Sequence, residues 1–144
     1  MAINPGRGAW ACLLLLTACG GGLGVPRETA CHIEVLLHSA TSAVERGIAE
    51  NEAGDLALAA SAGELATRAG TDLHTTVSTA TDLKADAISE LDGVAINAQQ
   101  IGIFLATRTQ IEDEAVGLKQ GLQGMRDATE GWTQRLRDAG VVCP

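Results

Sequence analysis

The sequence predicts an all-α protein, either one antiparallel helical hairpin or an up-down four-helix bundle, with its termini joined by a disulfide. Three observations support this fold. Alanine is abundant and no Asn-Gly hairpin signal occurs between Pro26 and Pro144. Apolar residues in that region recur at steps of three and four, as on one face of a long helix. Two cysteines, Cys31 and Cys143, lie at the two extremities of the helical region.

The N-terminal segment is a short apolar run, residues 9–16, that follows Arg7. It is too short to cross a bilayer, which needs about 20 residues in a helix, and is typical of a signal-peptide core. The run ends in Leu16-Thr17-Ala18-Cys19, which resembles the lipobox of bacterial lipoproteins. The resemblance implies that residues 1–18 are a signal peptide and that acyl chains on Cys19 hold the mature protein to a membrane. An ordinary cleaved signal with a chance cysteine, or a retained anchor, remains an alternative.

A glycine-rich stretch follows the lipobox. Residues 20–26 include four glycines, so we expect residues 19–30 to comprise the lipidated cysteine and a flexible tether. A flexible segment of about 11 residues has a root-mean-square reach of roughly 18 Å. The helical domain, predicted to span residues 31–144, would then stand clear of the headgroups.

The helix boundaries follow from breaker residues. The clearest break is at residues 51–55, where Gly54 precedes Asp55, a residue able to cap the next helix. Asp92-Gly93 lies near the midpoint between the two cysteines and predicts a second break. Glycines near residue 120 indicate a weaker third one. We expect the turn at Asp92-Gly93 to form the end farthest from the cysteines, whether the chain makes two helices or four.

Charge and aromatic content exclude several functions. Removing Arg7 with the signal leaves nine Lys and Arg against 18 Asp and Glu, a formal charge of −9. Such a surface repels phosphate backbones, which argues against nucleic-acid binding and against attachment to a membrane by a basic patch. Phe104 and Trp132 are the only aromatic residues after position 18, so binding sites built from several aromatic faces are not expected.

Cys31 and Cys143 are expected to pair, because an even number of cysteines outside the cytoplasm is typical of disulfides. Two reduced thiols, or bridges between chains, are the alternatives. An intramolecular bridge requires Cα atoms within about 7 Å. The chain must therefore return to its starting end after an even number of similar passes.

Few other residues suggest chemistry. Glu34 and His38 share a helix face near Cys31, but a solvated pair is a simpler interpretation than a metal site. The run Glu112-Asp113-Glu114 is expected to form a solvated acidic face. Trp132 lies on the apolar stripe, so it either packs in the core or serves as a partner contact. Phe104 is predicted to be core.

No catalytic motif is recognisable, so we expect a non-enzymatic protein without a metal or cofactor. The predicted function is that of a lipid-anchored interaction or structural module of the bacterial cell envelope. Its partners would be the bilayer and an envelope protein, or a second copy docking on a helix face. It would lie on the periplasmic side of an outer membrane, or on the outer face of a plasma membrane in a single-membrane organism. A small ligand held between helices lined by Leu, Ile and Ala is the alternative, and an enzyme is the least favoured.

Overall fold

The computed structural model describes residues 22–111 and 115–144, with only the backbone given for Ala115 and Val116. These residues form four α-helices and no strand: α1 (Arg27–Glu52), α2 (Leu56–Thr79), α3 (Ala85–Ala106) and α4 (Ala115–Asp138). Each helix packs against the next, and α4 closes the bundle against α1. The all-α prediction is confirmed, in its four-helix form.

Small residues allow the first three helices to pack closely. At the crossing of α2 and α3, an added Cβ on Gly63 would lie 2.5 Å from the carbonyl oxygen of Gly102. At Gly70, about two helical turns nearer the C-terminus of α2, an added Cβ would lie 2.7 Å from the carbonyl oxygen of Ala95. By contrast, α4 fills its share of the core with larger buried side chains, namely Leu122, Met125, Trp132 and Leu136.

The loops agree with only one of the three predicted breaks. The break at residues 51–55 is confirmed: Gly54 has a φ of 84°, and the Asp55 carboxylate accepts a 3.0 Å hydrogen bond from the Leu58 amide. The middle reversal occurs at residues 80–84, whereas Asp92-Gly93 lies within α3. An added Cβ on Gly93 would meet no atom within 4 Å, so this glycine marks neither a turn nor a close contact. The glycines near residue 120 likewise lie within α4.

Four passes place the middle loop at the same end as the disulfide. We call this end the base; it comprises the start of α1, the α2–α3 loop and the segment after α4. The opposite, distal end carries the α1–α2 loop and residues 107–111. The prediction that Asp92-Gly93 forms the far tip is therefore wrong, because a chain that reverses three times returns to the base at its midpoint.

The N-terminal boundary lies earlier than predicted. Leu23 and Val25 are buried, and α1 begins at Arg27, so the folded body starts before residue 31. Gly24 has a φ of 78° and packs closely against the carbonyl group of Asp82. A flexible tether reaching residue 30 is thus wrong for the described part of the segment. The predicted signal peptide 1–18, Cys19 and the acidic run 112–114 lie outside the described residues.

Candidate functional site

The base is fastened by three contacts between the start of α1 and the end of the chain. Cys31 and Cys143 form a disulfide with Cα atoms 5.5 Å apart, as predicted. The Arg27 guanidinium donates a 2.9 Å hydrogen bond to the carbonyl oxygen of Val142. Together with the docking of Trp132 on α1, described next, these contacts make the base a single rigid unit.

Trp132 lies in the core. Its side chain is 2% exposed, and its indole N–H donates a 3.1 Å hydrogen bond to the carbonyl oxygen of Ala30. A buried indole that has its polar group satisfied is a packing residue. Of the two roles expected for Trp132, the structure favours core packing, since the ring is not available at the surface.

Polar side chains fix α4 against α1. The Thr41 and Thr129 hydroxyl oxygens lie 3.1 Å apart in the core, and Thr129 donates to the Met125 carbonyl at 2.7 Å. Thr129 has one proton to donate, so Thr41 donates to Thr129. A buried hydrogen bond of this kind costs stability if either partner is lost, so it selects one register for α4.

An ion-pair cluster joins α4 to α3 near the base. Arg135 lies 3.2 Å from carboxylate oxygens of both Asp86 and Glu90. Hydrogen bonding from the backbone amide of Ala87, and then from Arg135, lowers the pKa of the Asp86 carboxyl below its ordinary value. Both carboxylate side chains are exposed, so each ion pair contributes little to stability.

The histidines do not assemble a reactive site. Nδ1 of His74 lies 3.2 Å from Oδ1 of Asp92, and both side chains are partly exposed. Ser78 donates its hydroxyl proton to the His74 backbone carbonyl at 2.7 Å. Cys31 is held in the disulfide and is not free to bind metal beside Glu34. Within residues 22–111 and 115–144, no three His, Cys, Asp or Glu side chains are grouped so that they could hold a metal ion.

A scan against protein-family models and searches of curated proteins and of solved structures find no match to this chain.

Two surface grooves differ in their lining from the ligand site between helices that the sequence offers as the alternative function. One groove of about 680 Å³ runs along the surface between the start of α1 and the end of α2. Its lining includes Glu28, Thr75, Thr76 and Thr79, in place of the Leu and Ile side chains expected around a ligand between helices. A second depression of about 840 Å³, beside His38, is lined by polar side chains and a glycine.

The distal end exposes Phe104, which the sequence placed in the core, and its neighbour Ile103. Phe104 is 39% exposed and Ile103 is 61% exposed, whereas Leu105 is fully buried. Consecutive helical residues point about 100° apart, so a single turn cannot bury all three. The prediction that Phe104 is core is therefore wrong.

Arg108 adjoins these residues in an unfavourable backbone conformation. It follows the end of α3 with a φ of 57°, which glycine usually supplies at this position. Nearby, Asn51 is 3% exposed: its side-chain amide donates to the Thr109 carbonyl at 2.9 Å and accepts from the Ile111 amide at 3.0 Å. Asn51 thereby orders the segment that presents Arg108. In the sequence, Asn51 is recognisable only as part of a helix break.

We call Ile103, Phe104 and Arg108 the distal patch. It combines an aliphatic, an aromatic and a guanidinium side chain, and both Phe and Arg are enriched in protein interfaces relative to the rest of the surface.

Proposed function

We propose that the protein is a lipid-anchored, non-enzymatic interaction module of the bacterial cell envelope, and that the distal patch binds a partner protein. The lipobox-like Leu16-Thr17-Ala18-Cys19 supports the anchor. None of the described helices is long and apolar enough to cross a membrane. We assign attachment to acyl chains on Cys19 because of the lipobox resemblance, and more than one chain suffices for stable attachment.

The observation that carries the interaction role is the position of the distal patch. The described chain begins at the base, close to the proposed anchor, so the distal end faces away from the membrane. Phe104 is the only aromatic residue after position 18 besides the buried Trp132. An exposed aromatic ring beside Ile103 and a loop-ordered Arg108 fits a protein surface that offers an apolar cleft and a carboxylate.

Site-specific photo-crosslinking in intact cells tests this assignment. A photoreactive amino acid replaces Ile103 in one strain and Ile96 in the other, because the two side chains are of the same type and are 61% and 50% exposed. Ile96 lies in the middle of α3 and serves as the matched control. We expect one dominant adduct with an envelope protein from position 103, absent from position 96.

A second variant separates specific docking from general proximity. Arg108→Gly removes the guanidinium while relieving the backbone, so the fold is preserved and the adduct from position 103 should fall several-fold. Adducts of equal yield from both positions would contradict a distal binding site. A dominant adduct with a second copy of this chain would contradict a different partner protein and indicate self-association. Sedimentation of the purified domain would also detect self-association.

A further inference from the structure

The base begins almost at the proposed lipid. Gly22 and Leu23 line a depression at the base together with Lys84 and Ala139. Cys19 is three residues before Gly22, and each residue spans at most about 3.6 Å, so their Cα atoms lie within roughly 11 Å. The tether is too short to hold the body clear of the headgroups.

The base also exposes apolar side chains that the core does not use. Val142 is 73% exposed. Val35 and Pro144 line a nearby groove of about 510 Å³ together with both cysteines of the disulfide and four polar or charged residues, Arg27, Glu28, His32 and Glu34. The contact of Arg27 with the Val142 carbonyl holds the C-terminal segment in place, so Val142 is presented by a rigid unit.

Charge distinguishes the base from the rest of the body. Counted over residues 22–35, 79–86 and 135–144, the base contains four basic and five acidic side chains. The remainder of the chain after residue 18 contains five basic and 13 acidic side chains. The base is therefore close to electrically balanced, and it meets less repulsion from an anionic lipid surface than the rest of the body would.

We infer that the base is a membrane-contact surface: Val142 and its apolar neighbours enter the headgroup region of the bilayer that holds Cys19. This inference rests on the proposed lipidation. The bilayer would then have a second, non-covalent contact with the folded body. This contact would hold the bundle axis upright on the membrane, with the distal patch pointing away from it. The acyl anchor already confines the protein to the membrane. A neighbouring apolar side chain can therefore be buried in the bilayer without a further loss of the protein's translational freedom.

Amide hydrogen exchange on vesicles tests the contact. The lipidated protein is reconstituted in phosphatidylethanolamine–phosphatidylglycerol vesicles, and Cys19→Ser protein mixed with the same vesicles is the reference. Amides of Thr81 and Val142, at the base, should exchange several-fold more slowly in the lipidated sample. Amides of Gly54 and Asp55, at the distal end, should exchange equally in both samples.

The outcomes are separable. If the wild-type protein does not float with the vesicles, the proposed lipidation fails and this inference fails with it. If it floats but Thr81 and Val142 exchange as in the reference, only the membrane contact is overturned. Slowed exchange at the base that appears in native envelopes but not in pure vesicles would assign the surface to a protein and overturn the inference.

A pair of charge variants provides a second measurement. Val142→Glu should abolish the slowing at Thr81 while the protein still floats. Ile96→Glu changes a side chain that is 50% exposed on the flank of α3 and should leave the slowing unchanged. Equal slowing in both variants would show that Val142 does not enter the interface.

Discussion

Replacing Gly63 by alanine should destabilise the bundle, although alanine is the better helix former. The added Cβ would lie 2.5 Å from the carbonyl oxygen of Gly102 and 2.8 Å from Cβ of Leu105. Comfortable contacts between such atoms are about 3.5 Å or more. The helices must therefore separate by up to about 1 Å, because the clash is with backbone and cannot be relieved by rotating a side chain.

The expected magnitude follows from two opposing effects. Overpacking a close-packed site costs typically about 1–3 kcal/mol. The better helix propensity of alanine raises the free energy of unfolding by about 1 kcal/mol when it replaces a glycine inside a helix. The difference between the two effects predicts that Gly63→Ala lowers the free energy of unfolding by up to about 2 kcal/mol.

Gly124→Ala is the matched control, because Gly124 is also helical but its added Cβ would meet no atom within 4 Å. It should raise the free energy of unfolding by up to about 1 kcal/mol. Both variants are made in Cys19→Ser protein that lacks the signal, and urea unfolding is followed by circular dichroism at 222 nm. If Gly63→Ala stabilised the protein as much as Gly124→Ala, the close approach of α2 and α3 would be refuted.

Three further predictions concern the base and the distal end. Cys143→Ser should lower the free energy of unfolding by roughly 4–5 kcal/mol, the loop-entropy value for a bridge spanning 112 residues; Cys31→Ser in the same background should cost little more. Arg108→Gly should raise the free energy of unfolding by about 1 kcal/mol in thermal or urea unfolding, because glycine adopts positive φ without steric cost. The lowered pKa of Asp86 means that its interactions stabilise the fold at neutral pH, and that this contribution is lost as the pH falls through the folded-state pKa. Asp86→Asn should therefore be less stable than wild type at pH 7 but equally stable once the carboxyl is protonated, as measured by urea unfolding across pH.

A different result would contradict each of these three predictions. An additive second loss on removing the other cysteine would show that the two thiols act independently. Destabilisation by Arg108→Gly would show that the arginine side chain contributes more than its backbone conformation costs. A stability difference for Asp86→Asn that persists unchanged in acid would mean that the carboxylate charge is not its source.

The sequence predicted the features that depend on periodic burial and on covalent chemistry. The all-α class, the disulfide and the loop at Gly54 each follow from a local pattern with one dominant physical cause. The central reversal was misplaced because residues 80–84 contain neither glycine nor proline, whereas Asp92-Gly93 contains a conspicuous glycine.

Glycine has two opposite uses in this chain, and composition alone does not separate them. Gly54 ends a helix through its positive φ, whereas Gly63 and Gly102 lie inside helices and allow two backbones to approach. Only knowledge of which helix lies opposite reveals the second use. The distal patch was missed for a related reason: Phe104 belongs to a dense apolar segment, and the helix turns it outward.

The disulfide makes the body a covalent ring that runs from Cys31 through all four helices to Cys143. A protease that cuts the ring once, in any loop between helices, opens it without separating the molecule into two. Both fragments of a nicked protein would stay bound to each other through the disulfide and, under the proposed lipidation of Cys19, would both remain at the membrane. Such a protein would migrate as one species without reductant and as two fragments with it.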